Sequence, residues 1–198
     1  MSARSTAARA IFAALAIVAC GGGGTPAAGN DTSTGGSLGS DGLDGTGGAQ
    51  EALSDPQILK VLETIHASRI AEAETAKVRA INQQVHDYAS GLSDAHREAL
   101  AAVSALEKKL SLTPADSKMS LTIAATSSVE VENLAGAASA DFDRVYMQAQ
   151  VSDHGKTMSA VDSLLGMTTN GEIKSSLTAL KMMAKDEHGQ ATMIAASL

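Results

Sequence analysis

Three histidines and one glutamate carry the chemistry that this chain offers. His96, His154 and His188 each fall in a run of apolar residues spaced three and four apart, and Glu72 lies beside Arg69 in a fourth such run. Imidazoles and a carboxylate in midhelix form a donor set suited to zinc, iron, copper or nickel. One expectation is therefore a mononuclear metal-binding or redox centre built from His96, His154, His188 and Glu72 and holding Zn, Fe or Cu. The competing reading gives each imidazole its own hydrogen-bond partner in a nearby carboxylate, Asp94, Asp153 or Glu187, and no metal. Three residues before the histidines stand Ser93, Val151 and Lys185, so the Glu-x-x-His elements of di-iron bundles are missing and ferroxidase chemistry is not expected. His66 and His86 lie off these seams and are expected on the surface.

Four amphipathic helices must position those residues. The first is capped by Asp55, has Pro56 in its opening turn and runs to about Ala80. Its stripe is Ile58, Leu62, Ile65, Arg69, Glu72 and Ala76, with two charged members. Either Arg69 pairs with Glu72 and snorkels outward, or one of them points inward and addresses a histidine. The second helix, capped by Asn82, extends to about Leu110, with Gly91 easing a bend or a close approach. From about Asp116 to Ala137 the apolar residues fit no single stripe, which predicts a bent or broken helical crossover. The third helix starts at Asp141 or Ser139 and buries Met147, Val151, Met158, Val161 and Leu165; the fourth opens on a capping box of Thr169 with Glu172. The expectation is an all-α four-helix bundle with a short helical crossover between helices two and three, about 40 Å long at ~1.5 Å per residue. The turn at Ile81-Asn82 sets Arg69 and His96 at nearly one depth, and the turn near Thr168 brings His154 and His188 to within roughly 7 Å.

The remaining sequence speaks of location. Arg4 and Arg9 precede the apolar run Ile11 to Ala19, too short to span a bilayer, and Ala19-Cys20-Gly21 follows. This matches a lipoprotein signal peptide over 1–19, with the sole Cys of the chain, Cys20, as the acylated residue. Gly21, where an Asp would retain a lipoprotein at the inner membrane, fits outer-membrane sorting. Residues 20–53 are rich in Gly, Ser and Asp and read as a tether; Asp31, Asp41 and Asp44 match no calcium repeat. The folded domain is expected over 54–198. A net charge of -7 excludes a nucleic-acid partner, because phosphate binding needs clustered positive charge. The bilayer, met through acylated Cys20, is the expected partner, together with an envelope protein or a second copy meeting a methionine stripe of Met158, Met182 and Met183.

From Asp55 onward the chain resembles the bacterial family numbered 4142 among domains of unknown function. The matching elements are Val85-x-x-Tyr88-Ala89 leading to His96, Phe142-Asp143-Arg144-Val145-Tyr146 running through Val151 to His154, and His188 near the end. The resemblance implies a ferritin-like helical domain of exported proteins, many described as outer-membrane proteins. Phe142, Asp143 and Tyr146 are expected to hold the start of the third helix against the crossover, with Asp143 bonded near a helix N-terminus. The leading functional expectation is a non-enzymatic binding or stress-associated module of the envelope; the metal centre and a self-associating scaffold are the alternatives.

Overall fold

A computed structural model describes residues 52–198. The expectations for the signal peptide, Cys20 and most of the tether therefore lie outside the described residues. The chain forms α1 (Asp55–Arg79), α2 (Gln83–Leu110), α3 (Lys118–Gly136), α4 (Phe142–Leu165) and α5 (Gly171–Ala195), with no strand among the described residues. The fold is a ferritin-like all-α bundle. Helices α1 and α2 form one hairpin and α4 and α5 the other, and α3 is the shorter crossover joining them. Cross-helix bonds fix directions. Glu72 meets Ser127 and Arg79 meets Ala137, so α3 runs parallel to α1; Arg69 meets Asp153 and Ile81 meets Asp143, so α4 runs antiparallel to it.

Helix ends follow local chemistry, with shifts of a residue or two. Ser54, not Asp55, is the N-cap of α1, and the Gln57 side chain accepts from the Ser54 N–H at 3.0 Å. Asp55 instead accepts from the Thr168 hydroxyl at 2.6 Å, tying the α4–α5 turn to the start of α1. Asn82 caps α2 as expected, accepting from Gln84 N at 2.8 Å. At the start of α5 the cap is Asn170, one residue after the Thr169 expected there; it accepts from Glu172 N and Ile173 N. Helix α2 ends at Ser111, which takes the left-handed conformation with φ 53. The crossover is one continuous helix, not a broken one. Its buried seam is Ser120, Ser127 and Leu134 at seven-residue spacing, so two of its three inward residues are hydroxyls and an apolar stripe cannot reveal it.

The core is divided along the bundle. One apolar cluster gathers Ile58, Leu62, Ile65, Val103, Val161, Leu164, Ile173 and Leu177; a second, at the opposite end, gathers Ala73, Ala76, Val85, Ala89, Phe142, Tyr146 and Met147. Fully burying one large aliphatic side chain contributes ~1.5–3 kcal/mol, so both ends are anchored without tryptophan. The three aromatic rings of the second cluster pack on each other, Phe142 stacked on Tyr146 at 6.1 Å and Tyr88 edge-on to Tyr146 at 6.3 Å. Between the two clusters lies a layer of buried polar side chains from α1, α2, α4 and α5: His66, Arg69, Glu72, His96, Gln150, Asp153, His154 and Glu187. No helix among the described residues is long and apolar enough to cross a membrane.

Candidate functional site

The polar layer is two adjoining networks, and they divide the residues singled out from the sequence. In the first, five side chains form a chain through the bundle. His66 Nδ1 and His96 Nδ1 share a hydrogen bond of 2.9 Å, His96 Nε2 lies 3.3 Å from Glu187 Oε2, and the same oxygen is 3.5 Å from His154 Nδ1. His154 Nε2 then shares a hydrogen bond of 2.8 Å with the Tyr88 hydroxyl. His66, His96 and His154 are each at most 2% exposed. Burial, joined by the charge of His96, lowers His66 to about 3. Burial and then Arg69 lower His154 to about 3. Both rings are therefore neutral at ordinary pH, with lone pairs available.

His66 was expected on the surface, and the structure corrects this. Helix α1 is surrounded by α2, α3, α4 and α5, so its buried arc is wide and takes in Leu59, Val61, His66 and Ser68 beside the expected stripe. Glu187 also has other partners than adjacency gives. Neighbouring helical residues point ~100° apart and do not face one another, so Glu187 reaches His96 and His154 while His188 stays half-buried at the edge of the network. Asp94 is exposed and pairs with Arg97, and His86 is partly exposed beside Asp87.

The second network holds Glu72, apart from the histidines. Glu72, Glu130 and Asp153 each bring a carboxylate oxygen to within 4.8 Å of the other two. Arg69 does not snorkel outward: Nη1 donates to Glu72 Oε2 at 2.5 Å and to Asp153 Oδ2 at 3.0 Å. Glu72 also accepts from the Ser127 hydroxyl at 3.0 Å and Gln150 Nε2 at 3.2 Å, and Lys156 donates to Asp153 Oδ1 at 2.9 Å. Burial, then the hydrogen bond and charge of Asp153, push Glu130 up to about 8. Asp153 is also buried, which alone would raise it, but the Glu130 bond, Arg69 and Lys156 hold it below its ordinary value. At neutral pH Glu130 is therefore protonated, and the two remaining carboxylates face two cations. A divalent ion here must displace the Glu130 proton and compete with a guanidinium already seated between two of the three ligands.

Phe142, Asp143 and Tyr146 form a staple at the end of the bundle, joined to the histidine network through the packing of Tyr146 on Tyr88. Arg79 lies 4.9 Å over the Phe142 ring and donates to the carbonyls of Leu134, Ala135 and Ala137, which close α3. Asp143 reaches past its own helix to the α1–α2 turn, accepting from Ile81 N at 3.1 Å and Asn82 N at 2.7 Å. Tyr146 is fully buried and its hydroxyl has no partner among the described residues. The methionines form no single stripe: Met182 is exposed, Met158 is half-buried, and Met183 lines a small pocket beside His66.

The profile of a family described as a domain of unknown function (DUF4142) matches residues 44–194. No curated protein matches the chain. Among solved structures, the crystal structure of a DUF305 fragment from Deinococcus radiodurans superposes with a TM-score of 0.63, covering 75% of this chain and 100% of that one at 14% identity. At that identity the likeness shows the shared fold alone.

Proposed function

The chain belongs to the DUF4142 family, and taking its chemistry from its own residues we propose that the domain is a transition-metal-binding module centred on His96, Glu187 and His154. The observation that supports this reading is the placing of one carboxylate oxygen, Glu187 Oε2, 3.3 Å from His96 Nε2 and 3.5 Å from His154 Nδ1. Ligands at ~2.0–2.2 Å from a tetrahedral ion stand roughly 3.4 Å apart, so each imidazole–carboxylate separation fits a pair of ligands on one ion, and the two imidazole nitrogens, which lie more than 4.8 Å from each other, would have to close about it by side-chain rotation. The donor set also fits. Both imidazoles lie in a buried network, and the second nitrogen of each is already oriented, His96 Nδ1 by His66 and His154 Nε2 by the Tyr88 hydroxyl. Imidazole and carboxylate select zinc, iron or copper, and a bound ion would supply Lewis acidity or, for iron and copper, a redox couple. Glu72 is left to the second network and His188 to the flank of the site.

In this reading the domain is held to the outer membrane by acyl chains on Cys20 and works in the periplasm or at the cell surface. That part rests on Arg4, Arg9, the apolar run and the Ala19-Cys20-Gly21 junction. Incorporation of labelled palmitate at Cys20 checks it.

Elemental analysis of the purified chain after exposure to Zn, Fe and Cu salts tests the metal reading. The expected result is one metal per chain, lost in His96→Ala and in His154→Ala, and kept in Glu72→Gln. Circular dichroism verifies that the helices persist in each variant. Absence of metal from the parent, or its retention in the double histidine variant, overturns the proposal.

A further inference from the structure

A cleft of about 620 Å³ lies between α1, α3 and α4, within the size range of small-molecule sites. Because α1 and α3 are parallel, the cleft has a long axis that follows the helices. Along α3 its wall steps through Met119, Ile123, Ser127 and Glu130, and the ~11 residues from first to last cover roughly 17 Å. The two ends differ in chemistry. Towards the start of α1 the lining is mainly aliphatic, from Leu53, Ile65, Met119, Ile123 and Met167, beside the exposed Lys118; in midbundle it is Arg69, Glu72, Glu130, Asp153 and Lys156. Helix α3 is bonded to α1 along its length, through Gln57 to Asp116 O, Glu72 to Ser127 and Arg79 to its last carbonyls. It meets α4 only sparsely, so the side between α3 and α4 is the way in.

The polar end is not fully satisfied. Arg69 Nη1 is engaged by Glu72 and Asp153, and Lys156 by Asp153. Glu130 forms no ion pair among the described residues, and the group beside it is the Asp153 carboxylate, with an oxygen within 4.8 Å. Arg69, at 8% exposure, leaves its Nε without an acceptor among the described residues. One acid without a cation thus stands at the head of an apolar trough, beside a buried guanidinium whose Nε has no acceptor among the described residues. We propose that this cleft binds a linear aliphatic amine bearing a neighbouring hydroxyl, with its ammonium on Glu130, its hydroxyl oxygen toward Arg69 and its chain along Ile123, Ile65 and Met119. The ammonium takes the place of the proton that Glu130 shares with Asp153, and that proton leaves to solvent. At this polar end an alkyl carboxylate is disfavoured, because Arg69 and Lys156 already carry counter-charges and Glu72 and Asp153 would repel it.

Calorimetric titration of the full chain carrying Cys20→Ser, so that no acyl group competes, tests this with 1-amino-2-decanol, decanol, decanoate and calcium chloride. The expected result is one amino alcohol per chain, bound at least about tenfold tighter than decanol or decanoate, a margin ordinary for a charge-assisted contact. Glu130→Gln is expected to remove that margin while leaving decanol binding unchanged, and Ile123→Trp to weaken both amphiphiles by filling the trough. Equal or tighter binding of decanoate overturns the proposal. So does an amino-alcohol affinity indifferent to Glu130→Gln, calcium binding that depends on Glu130 in place of amine binding, or no binding of the amine to the full chain. Because Glu130 lies outside the histidine network, Glu130→Gln is expected to retain the metal of the preceding section, so either reading can fail alone.

Discussion

At the scale of single residues, two buried tyrosines make a matched pair. The Tyr88 hydroxyl is hydrogen-bonded to His154 Nε2, whereas the Tyr146 hydroxyl, just over two turns of helix from His154 on α4, has no partner among the described residues. Removing a bonded hydroxyl strands the imidazole; removing an unbonded one deletes only a desolvation cost. Tyr88→Phe is therefore expected to destabilise the domain by about 1–2 kcal/mol, and Tyr146→Phe to be neutral or to stabilise it by up to about 1 kcal/mol. Urea unfolding of both variants measures the contrast, and a loss above about 1 kcal/mol for Tyr146→Phe would show that its hydroxyl is bonded in solution. The same scale marks the limit of the sequence. His96 and His154 were legible because each interrupts a clean apolar seam, but the partner of each was not. Adjacency pointed to Asp94 and Asp153, and both pair elsewhere, while Glu187, 91 and 33 residues further along the chain, serves both rings.

At the scale of elements, helices with an apolar stripe announced their ends to within a few residues, because caps and proline act locally. Helix α3 was legible as a helix but not in its orientation, since Ser120 and Ser127 occupy its buried seam and carry no hydrophobic signal. The breadth of the buried arc of α1 was also hidden: it depends on four neighbouring helices, a property of the assembled fold rather than of the segment. Asp143 belongs to this scale because it joins elements. Its carboxylate collects the N–H groups of Ile81 and Asn82 at the positive end of α2, so it caps a helix from another hairpin. Asp143→Ala is expected to cost about 1–2 kcal/mol, and Asp143→Asn about half as much, since an amide oxygen keeps one acceptor without the charge. Chevron analysis of the two variants checks the order. If Asp143→Ala matches the parent, the two hairpins are held at this end by Phe142, Tyr146 and Arg79 alone.

For the whole molecule, the polar layer between the two apolar clusters makes stability a function of pH, with limbs of opposite sign. His66 and His154 fall from 6.5 to about 3 on folding. Between those values the unfolded chain binds protons that the folded chain refuses, so the stability present above pH 6.5 is lost as pH falls toward 3. Asp153, held below its ordinary value, adds to this acid limb. Glu130 works the other way: raised from 4.5 to about 8, it keeps a proton that the unfolded chain has released. Its contribution is complete below pH 4.5 and is lost as pH rises through 8. The histidines contribute on the order of 3 kcal/mol each, and Glu130 about 1–2 kcal/mol once its partial exposure is discounted. Metal-free protein in chelator is therefore expected to be most stable near pH 6 to 7, to unfold cooperatively on approach to pH 3 to 4, and to weaken gently toward pH 9. Glu130→Gln, neutral at every pH, should flatten the alkaline limb and leave the histidine part of the acid limb in place. Thermal melts from pH 3 to 9 decide it: a Glu130→Gln variant that weakens toward pH 9 as the parent does would show that Glu130 is already ionised in the folded chain, with water or a cation beside it.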